Sequence, residues 1–188
     1  MRITAATLAL ALAIPAFAIP PVPRPSKEFT FVDPSGKQTL LTSYKGKVVI
    51  IQFLFTWCQH CQAFSAVLTN LQKELAPKGV QMLGVAFDDN VSPAIAAAYS
   101  TKFGVGFPVA YAKRDTVLSF LGISVMERLA VPQVMVIDKT GVIRAQSEPM
   151  GSPELQNPVK LRQLLTDLAA GKTAPAAAKA KSATVAAK

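Results

Sequence analysis

The chain has 188 residues, of which 51% are hydrophobic and 16% are charged. This composition excludes an intrinsically disordered chain and a coiled coil, and the length fits one domain with tails. The formal net charge is +9, but Arg2 and the lysines near the C-terminus contribute much of it, so the middle is only mildly basic. No cluster of Lys or Arg is interleaved with aromatic residues, and we therefore expect no nucleic-acid partner.

The first residues, 1–18, predict a signal peptide. Arg2 is followed by the apolar stretch Ile3–Ile14, and Ala16-Phe17-Ala18 supplies the small residues of a cleavage site. We therefore expect an exported protein of the periplasm or cell envelope. An uncleaved leader that anchors the protein in the membrane is the alternative, although prolines from Pro15 onward interrupt the apolar run.

Three further segments follow the leader. Residues 19–28 are rich in proline and predict a linker, and residues 29–170 predict a single folded domain. Residues 171–188 are dominated by Ala and Lys and predict a disordered tail.

Within the domain the hydrophobic pattern alternates between strands and helices, which is typical of an α/β sheet. Lys47–Phe55 is a nearly continuous apolar run and predicts a central strand covered on both faces. Apolar residues at helical spacing predict a helix over Gln59–Leu75. The other predicted elements, in chain order, are a hairpin Phe29–Leu41, a strand Val80–Phe87, a helix Ser92–Phe103, a strand Phe107–Tyr111, a helix Arg114–Leu121, a hairpin Gln133–Gln146 and a helix Val159–Ala170.

The chain has two cysteines, Cys58 and Cys61, where the central strand gives way to a helix. A structural disulfide is the usual interpretation in an exported protein, but a spacing of three residues closes a loop too small to stabilise much. A helix N-terminus stabilises a thiolate, and we expect His60, the single histidine, to donate to it or stabilise its charge. We favour redox catalysis over a metal site, since zinc requires four ligands, and expect no metal and no cofactor.

Several segments resemble thioredoxin-fold proteins, specifically the exported TlpA/ResA-like branch. Phe53–Cys61, preceded by Tyr44–Lys47, resembles the active-site region of that branch. Phe29–Gly36 resembles its N-terminal hairpin, Ser92–Val109 its inserted helix and strand, and Ala130–Gly141 its cis-proline segment. The resemblance implies a thioredoxin-like fold, with a central mixed sheet flanked by helices, an N-terminal β-hairpin and a helix/strand insert.

The resemblance also assigns the two sulfurs. Cys58 would attack a substrate disulfide and Cys61 would resolve the mixed disulfide. Thioredoxins carry a buried acid six residues before the first cysteine, and this chain has Gln52 there. We therefore consider Asp88 and Asp89, at the end of the following strand, as candidates for proton transfer; the alternative is that they simply end the strand.

Substrate contacts follow by the same analogy. Pro132, with a cis bond to Val131, would lie across from the sulfurs and expose the Val131 backbone for strand-like pairing; an ordinary trans proline is the alternative. Trp57 and Gln59 would form the docking surface beside Cys58. A plain core role is the alternative for Trp57.

The resemblance implies a thiol-disulfide oxidoreductase that acts on proteins with thiols or disulfides and accepts electrons from a membrane or soluble donor. We expect a reductase, serving for example the haem-attachment cysteines of cytochromes c, with a potential between about −270 and about −120 mV. A DsbA-like oxidant, suggested by His60, and a non-catalytic binding module are the alternatives.

Two other classes on the same fold do not match the sequence. A peroxidase of the peroxiredoxin type would carry Thr at the place of Phe55, and a copper-delivery protein would carry CxxxC.

Overall fold

The computed structural model describes residues 19–172. The predicted leader, 1–18, and all but the first two residues of the predicted tail lie outside these residues. The strands are Arg24–Pro25 (β1), Thr30–Val32 (β2), Gln38–Leu40 (β3), Val48–Leu54 (β4), Val80–Ala86 (β5), Val109–Tyr111 (β6), Gln133–Ile137 (β7) and Val142–Gln146 (β8). The helices are Gln59–Leu75 (α1), Pro93–Lys102 (α2), Arg114–Leu121 (α3), Pro153–Gln156 (α4) and Pro158–Ala169 (α5).

All eight strands form one mixed sheet in the order β1-β8-β7-β4-β5-β6-β2-β3. The central strand, β4, pairs in parallel with β5 and antiparallel with β7. All seven of its residues are buried, because side chains from helices and from the N-terminal hairpin cover both faces. The fold is thioredoxin-like, and the predicted fold class is confirmed.

Successive residues of β4 point to opposite faces of the sheet, as the period of two requires. Ile50 and Leu54 belong to one buried cluster with residues of α1 and α5. Ile51 and Phe53 belong to a second cluster with α3 and the β2–β3 hairpin. Gln52 is therefore a polar residue on the α1 face of the central strand, where it is completely buried.

The active-site helix begins and ends where the sequence predicts. Cys58 is the N-cap of α1, and a short 3₁₀ turn over Ala76–Lys78 follows the helix. Gly79 then takes a positive φ of +82°, which glycine adopts without steric cost. The inserted helix α2 is capped by Ser92, whose Oγ accepts a hydrogen bond from the backbone N–H of Ile95.

The segment 19–28 does not behave as a free linker. Arg24 and Pro25 form an edge strand on β8, and Ile19 and Val22 pack against the second buried cluster. The Arg24 guanidinium donates to the Pro20 carbonyl and to the side-chain oxygen of Gln146. Proline is compatible with an edge strand because an edge needs hydrogen bonds on one side only.

Among the residues described, no helix has both the length and the apolar character needed to cross a membrane.

Candidate active site

The two cysteines meet at the first turn of α1. The backbone N–H of Cys61 donates to Sγ of Cys58 over 3.2 Å, and the two sulfur atoms lie 2.7 Å apart. Both residues are free cysteines. Cys58 is 7% exposed and Cys61 is fully buried. Solvent therefore reaches Cys58 first, which agrees with the order of attack and resolution that the family resemblance implies; the roles themselves stay a prediction.

Burial raises the pKa of the Cys61 thiol, and its hydrogen bond with Cys58 raises this pKa further. The backbone carbonyl of Cys61 accepts a hydrogen bond of 2.9 Å from Nε2 of Gln52. The side chain at the position of the thioredoxin acid thus holds the backbone of the second cysteine. An uncharged amide at this position cannot take up the Cys61 proton.

The loop before β7 faces the sulfurs. The Val131–Pro132 peptide bond is cis, as predicted, and the Val131 carbonyl oxygen lies 3.8 Å from Sγ of Cys58. Gln133 anchors the loop, since its Nε2 lies within hydrogen-bond distance of the carbonyls of Ala130, Glu148 and Pro149. Its contribution was not anticipated from the sequence, which offers only its place after Pro132 as a signal.

Two of the residues predicted to contact substrate are exposed beside Cys58. Trp57 is 70% exposed, and its ring packs on Phe55 with centroids 5.2 Å apart. Gln59 is also exposed. The core alternative for Trp57 is wrong, and the arrangement is compatible with a docking surface.

His60 is exposed, and within residues 19–172 it makes no hydrogen bond to either sulfur. The predicted donation from its ring is therefore corrected. The reason is geometric: His60 lies between the cysteines in sequence, but successive residues of a helix point about a quarter turn or more apart.

The two candidate acids differ in their surroundings. Asp88 is buried, and its Oδ2 accepts hydrogen bonds from the Thr56 backbone N–H, over 3.1 Å, and from Oγ1 of Thr56, over 2.6 Å. Its Oδ1 is buried without a partner among the described residues. Asp89 is exposed. Among the described residues, neither acid forms a hydrogen bond to a sulfur. Asp88 instead holds the loop before Cys58 through Thr56. The predicted proton transfer therefore gains no support.

The part of the chain that the structure describes contains no group of three or more His, Cys, Asp or Glu side chains arranged to hold a metal ion.

Comparison with known proteins adds to this geometry. The family model described as AhpC/TSA family matches residues 22–146, which is more than half of the chain. The chain belongs to the AhpC/TSA family. Within the region matched lie the two cysteines, the cis-proline loop and all eight strands, from β1 to β8.

This AhpC/TSA chain is similar to proteins named thiol-disulfide oxidoreductase ResA. It is 28% identical to the protein from Geobacillus thermodenitrificans over 120 residues, covering 62% of this chain and 63% of that protein. It is 32% identical to the Bacillus subtilis protein over 83 residues, covering 43% of this chain and 44% of that protein. The match thus spans less than two thirds of the length of these relatives.

Solved structures agree on the fold. A thiol:disulfide interchange protein of the thioredoxin family from Chlorobium tepidum superposes with a TM-score of 0.64 at 24% identity, covering 78% of this chain and 97% of that one. A thiol:disulfide interchange protein from a Bacteroides species gives a TM-score of 0.64 at 20% identity, covering 79% and 90%. The predicted resemblance to thioredoxin-fold proteins of the ResA type is confirmed.

Proposed function

We propose that this protein is a thiol-disulfide oxidoreductase that exchanges disulfides with substrate proteins through Cys58 and Cys61. The observation that carries the proposal is the arrangement of the two thiols. Cys58 caps α1 and accepts a hydrogen bond from the N–H of Cys61, whose own sulfur lies 2.7 Å away. One sulfur is thereby prepared for attack, and the second is in place to displace what the first has bound.

The reduced protein acts in two steps, attack by Cys58 and resolution by Cys61. The Cys58 thiolate attacks a substrate disulfide, so that a Cys58–substrate disulfide forms and one substrate thiolate leaves with its electron pair. Cys61 then loses its proton to solvent and attacks Sγ of Cys58. The mixed disulfide breaks, a Cys58–Cys61 disulfide forms, and the second substrate thiolate departs. The protein has given two electrons, which a donor must replace.

Substrate backbone would pair with the loop before β7. The Val131 carbonyl lies 3.8 Å from Sγ of Cys58, and no partner for the Val131 N–H occurs in the described range. An extended segment that bonds to these groups would bring its disulfide to Cys58. Trp57, the exposed neighbour of Cys58 in sequence, supplies apolar contact area.

Reduction of substrates is the direction that we propose, in the periplasm or cell envelope, with haem-attachment cysteines of cytochromes c as one class of substrate. Support comes from similarity to proteins named thiol-disulfide oxidoreductase ResA and from the N-terminal sequence of residues 1–18. A membrane or soluble donor would return the electrons. The oxidant alternative was suggested by His60, and it is weakened because His60 makes no hydrogen bond to either sulfur within residues 19–172.

Insulin reduction by dithiothreitol tests the activity. The wild-type protein is expected to accelerate precipitation of the insulin B chain, and Cys58→Ser is expected to lose the acceleration. A wild-type protein that does not accelerate the reaction, but forms a stable adduct with a partner, would be a binding module. Equilibration with glutathione then decides the direction, because a potential close to that of DsbA, about −120 mV, would indicate an oxidant.

A further inference from the structure

A chain of three buried polar side chains lies behind Cys61, and the exchange steps above leave it without a role. It comprises Gln52 on β4, Ser65 on α1 and Tyr99 on α2, exposed by 0%, 0% and 3%. Ser65 Oγ lies 2.8 Å from Oε1 of Gln52 and 2.8 Å from the Tyr99 hydroxyl oxygen. The chain ends on the carbonyl of Cys61, to which Gln52 Nε2 donates over 2.9 Å.

The direction of donation along this chain follows from the groups themselves. A carbonyl oxygen only accepts, so the amide NH₂ of Gln52 faces Cys61 and its Oε1 faces Ser65. Ser65 has one hydroxyl proton, and it donates this proton in a hydrogen bond to Oε1 of Gln52. The Tyr99 hydroxyl must therefore donate to Ser65. All hydrogen bonds run one way, from Tyr99 towards the backbone of Cys61.

Few charged groups act on the hydrogen-bonded side chains Gln52, Ser65 and Tyr99. Burial raises the pKa of Tyr99 to about 12, against a lowering by the hydrogen bond with Ser65, and the nearby Cys61 and Cys58 sulfurs raise it further. Tyr99 thus stays a neutral donor at physiological pH. Lys102, on the next turn of α2, places its Nζ 5.3 Å from the ring centroid of Phe103. The buried acid nearest in sequence, Asp88, is bonded to the active-site loop through Thr56.

We propose that Tyr99 is a positioning residue for Cys61: its hydroxyl completes the chain that holds the first turn of α1 against β4, and so keeps the Cys61 sulfur aligned on Sγ of Cys58. This inference rests on the proposed function and deepens it. The first turn of a helix lacks half of its backbone hydrogen bonds, so an anchor on the Cys61 carbonyl limits fraying there. Attack on a mixed disulfide depends steeply on such alignment.

A two-phase assay isolates the step that Tyr99 is expected to affect. Reduced protein is mixed with the aromatic disulfide dithiobis-nitrobenzoate, which releases coloured thionitrobenzoate. In the first phase the Cys58 thiolate breaks the reagent's disulfide, binds one half and releases the other. In the second, Cys61 loses its proton to the buffer and attacks Sγ of Cys58. The Cys58–Cys61 disulfide forms and the remaining thionitrobenzoate leaves with the electron pair.

Tyr99→Phe removes the hydroxyl and keeps the ring. We expect the second phase to slow about threefold to tenfold, the effect of one buried hydrogen bond, and the first phase to be unchanged. The slowing should be similar across the neutral pH range, because Tyr99 remains protonated there. Tyr44→Phe is the matched control, since Tyr44 packs on Phe31 away from the sulfurs, and should match the wild type in both phases.

Ser65→Ala breaks the same chain one link further on. It should slow the second phase at least as much as Tyr99→Phe, and the double variant should be no slower than Ser65→Ala alone. Thermal unfolding midpoints are measured for all variants.

Each other result counts against the inference. A second phase of wild-type rate in Tyr99→Phe overturns it, and so does equal slowing of both phases, which would indicate a purely structural role. Loss of the pH dependence of the second phase in Tyr99→Phe would make Tyr99 a base and also overturn the positioning role. Absence of a first phase in the wild type contradicts the proposed function itself, and the inference falls with it.

Discussion

The backbone N–H of Cys61 donates a hydrogen bond to Sγ of Cys58 over 3.2 Å. Cys58 therefore occupies a cap position where Ser, Thr, Asp or Asn is usual, and its sulfur takes the part of the capping oxygen. An amide N–H directed at a sulfur stabilises negative charge on it. The same contact gives the two cysteines unequal places: one faces the edge of the site, and the other is enclosed behind it.

This inequality predicts opposite results for the two serine variants. Cys61→Ser should accumulate a mixed disulfide with a substrate protein, because attack by Cys58 proceeds and resolution cannot. Cys58→Ser should accumulate none, because Cys61 is fully buried. Non-reducing electrophoresis after incubation with a disulfide-containing protein measures both. Adducts in Cys58→Ser and not in Cys61→Ser would reverse the assignment.

Much of the fold could be predicted because buried strands and helices require characteristic patterns of apolar residues in the sequence. The apolar run that contains β4 indicates a strand covered on both faces, and the apolar stripe of Gln59–Leu75 matches α1 at both ends. The junction between these elements fixes the place of the cysteines. The cis bond before Pro132 followed from the resemblance to a known family and is confirmed. The order of Cys58 and Cys61 followed from the same resemblance and stays a prediction, which their unequal exposure supports.

Other features depend on contacts that are distant in sequence. Segment 19–28 reads as a linker from its prolines, and only the presence of β8 beside it makes Arg24 and Pro25 an edge strand. Tyr99 occurs in a stretch of alanines with little amphipathic pattern, and its partner Ser65 is 34 residues away. No local signal could identify such a pair, because the hydrogen bond exists only after α2 has packed on α1.

Asp88 should contribute to stability through Thr56. Asp88→Ala leaves the Thr56 backbone N–H and hydroxyl without their acceptor and is expected to cost about 1–3 kcal/mol. Asp88→Asn keeps one oxygen for Thr56 and places an NH₂ group where Oδ1 has no partner, so it should retain most of the stability. Urea unfolding of both variants measures the difference.

The Asn variant also separates loop anchoring from proton transfer. Asn cannot take a proton at neutral pH, so a role for Asp88 in deprotonating Cys61 requires that Asp88→Asn slow the second phase of the dithiobis-nitrobenzoate assay. We expect the wild-type rate, because Asp88 bonds to the loop before Cys58. A large slowing in a stably folded variant would restore the acid to the mechanism.

Asp138 is expected to make stability depend on pH. Burial by itself would raise the pKa of this carboxyl, but hydrogen bonds from Thr140, Val142 and Arg144 outweigh it and hold the pKa below its usual value. A depressed folded-state pKa stabilises the fold fully above the unfolded pKa, about 4. This contribution is lost as the pH falls through the lower folded value. Asp138→Asn should flatten the acid limb of a plot of unfolding midpoint against pH, and an unchanged limb would contradict the assignment.

Gly122 provides a test of how firmly the segment before β1 is docked. It ends α3 with a φ of +71°, and a Cβ added there would lie 2.7 Å from Cδ of Pro20. Gly36 has a φ of +84° and open space around its Cβ position. Both Gly→Ala variants incur the cost of a positive φ, about 1–2 kcal/mol. Gly122→Ala should lose about 1–3 kcal/mol more, as in an overpacked core, because Pro20 must move. Equal losses in urea unfolding would mean that the contact between Pro20 and Gly122 contributes nothing to the folded state, and that the N-terminal segment moves away at little cost.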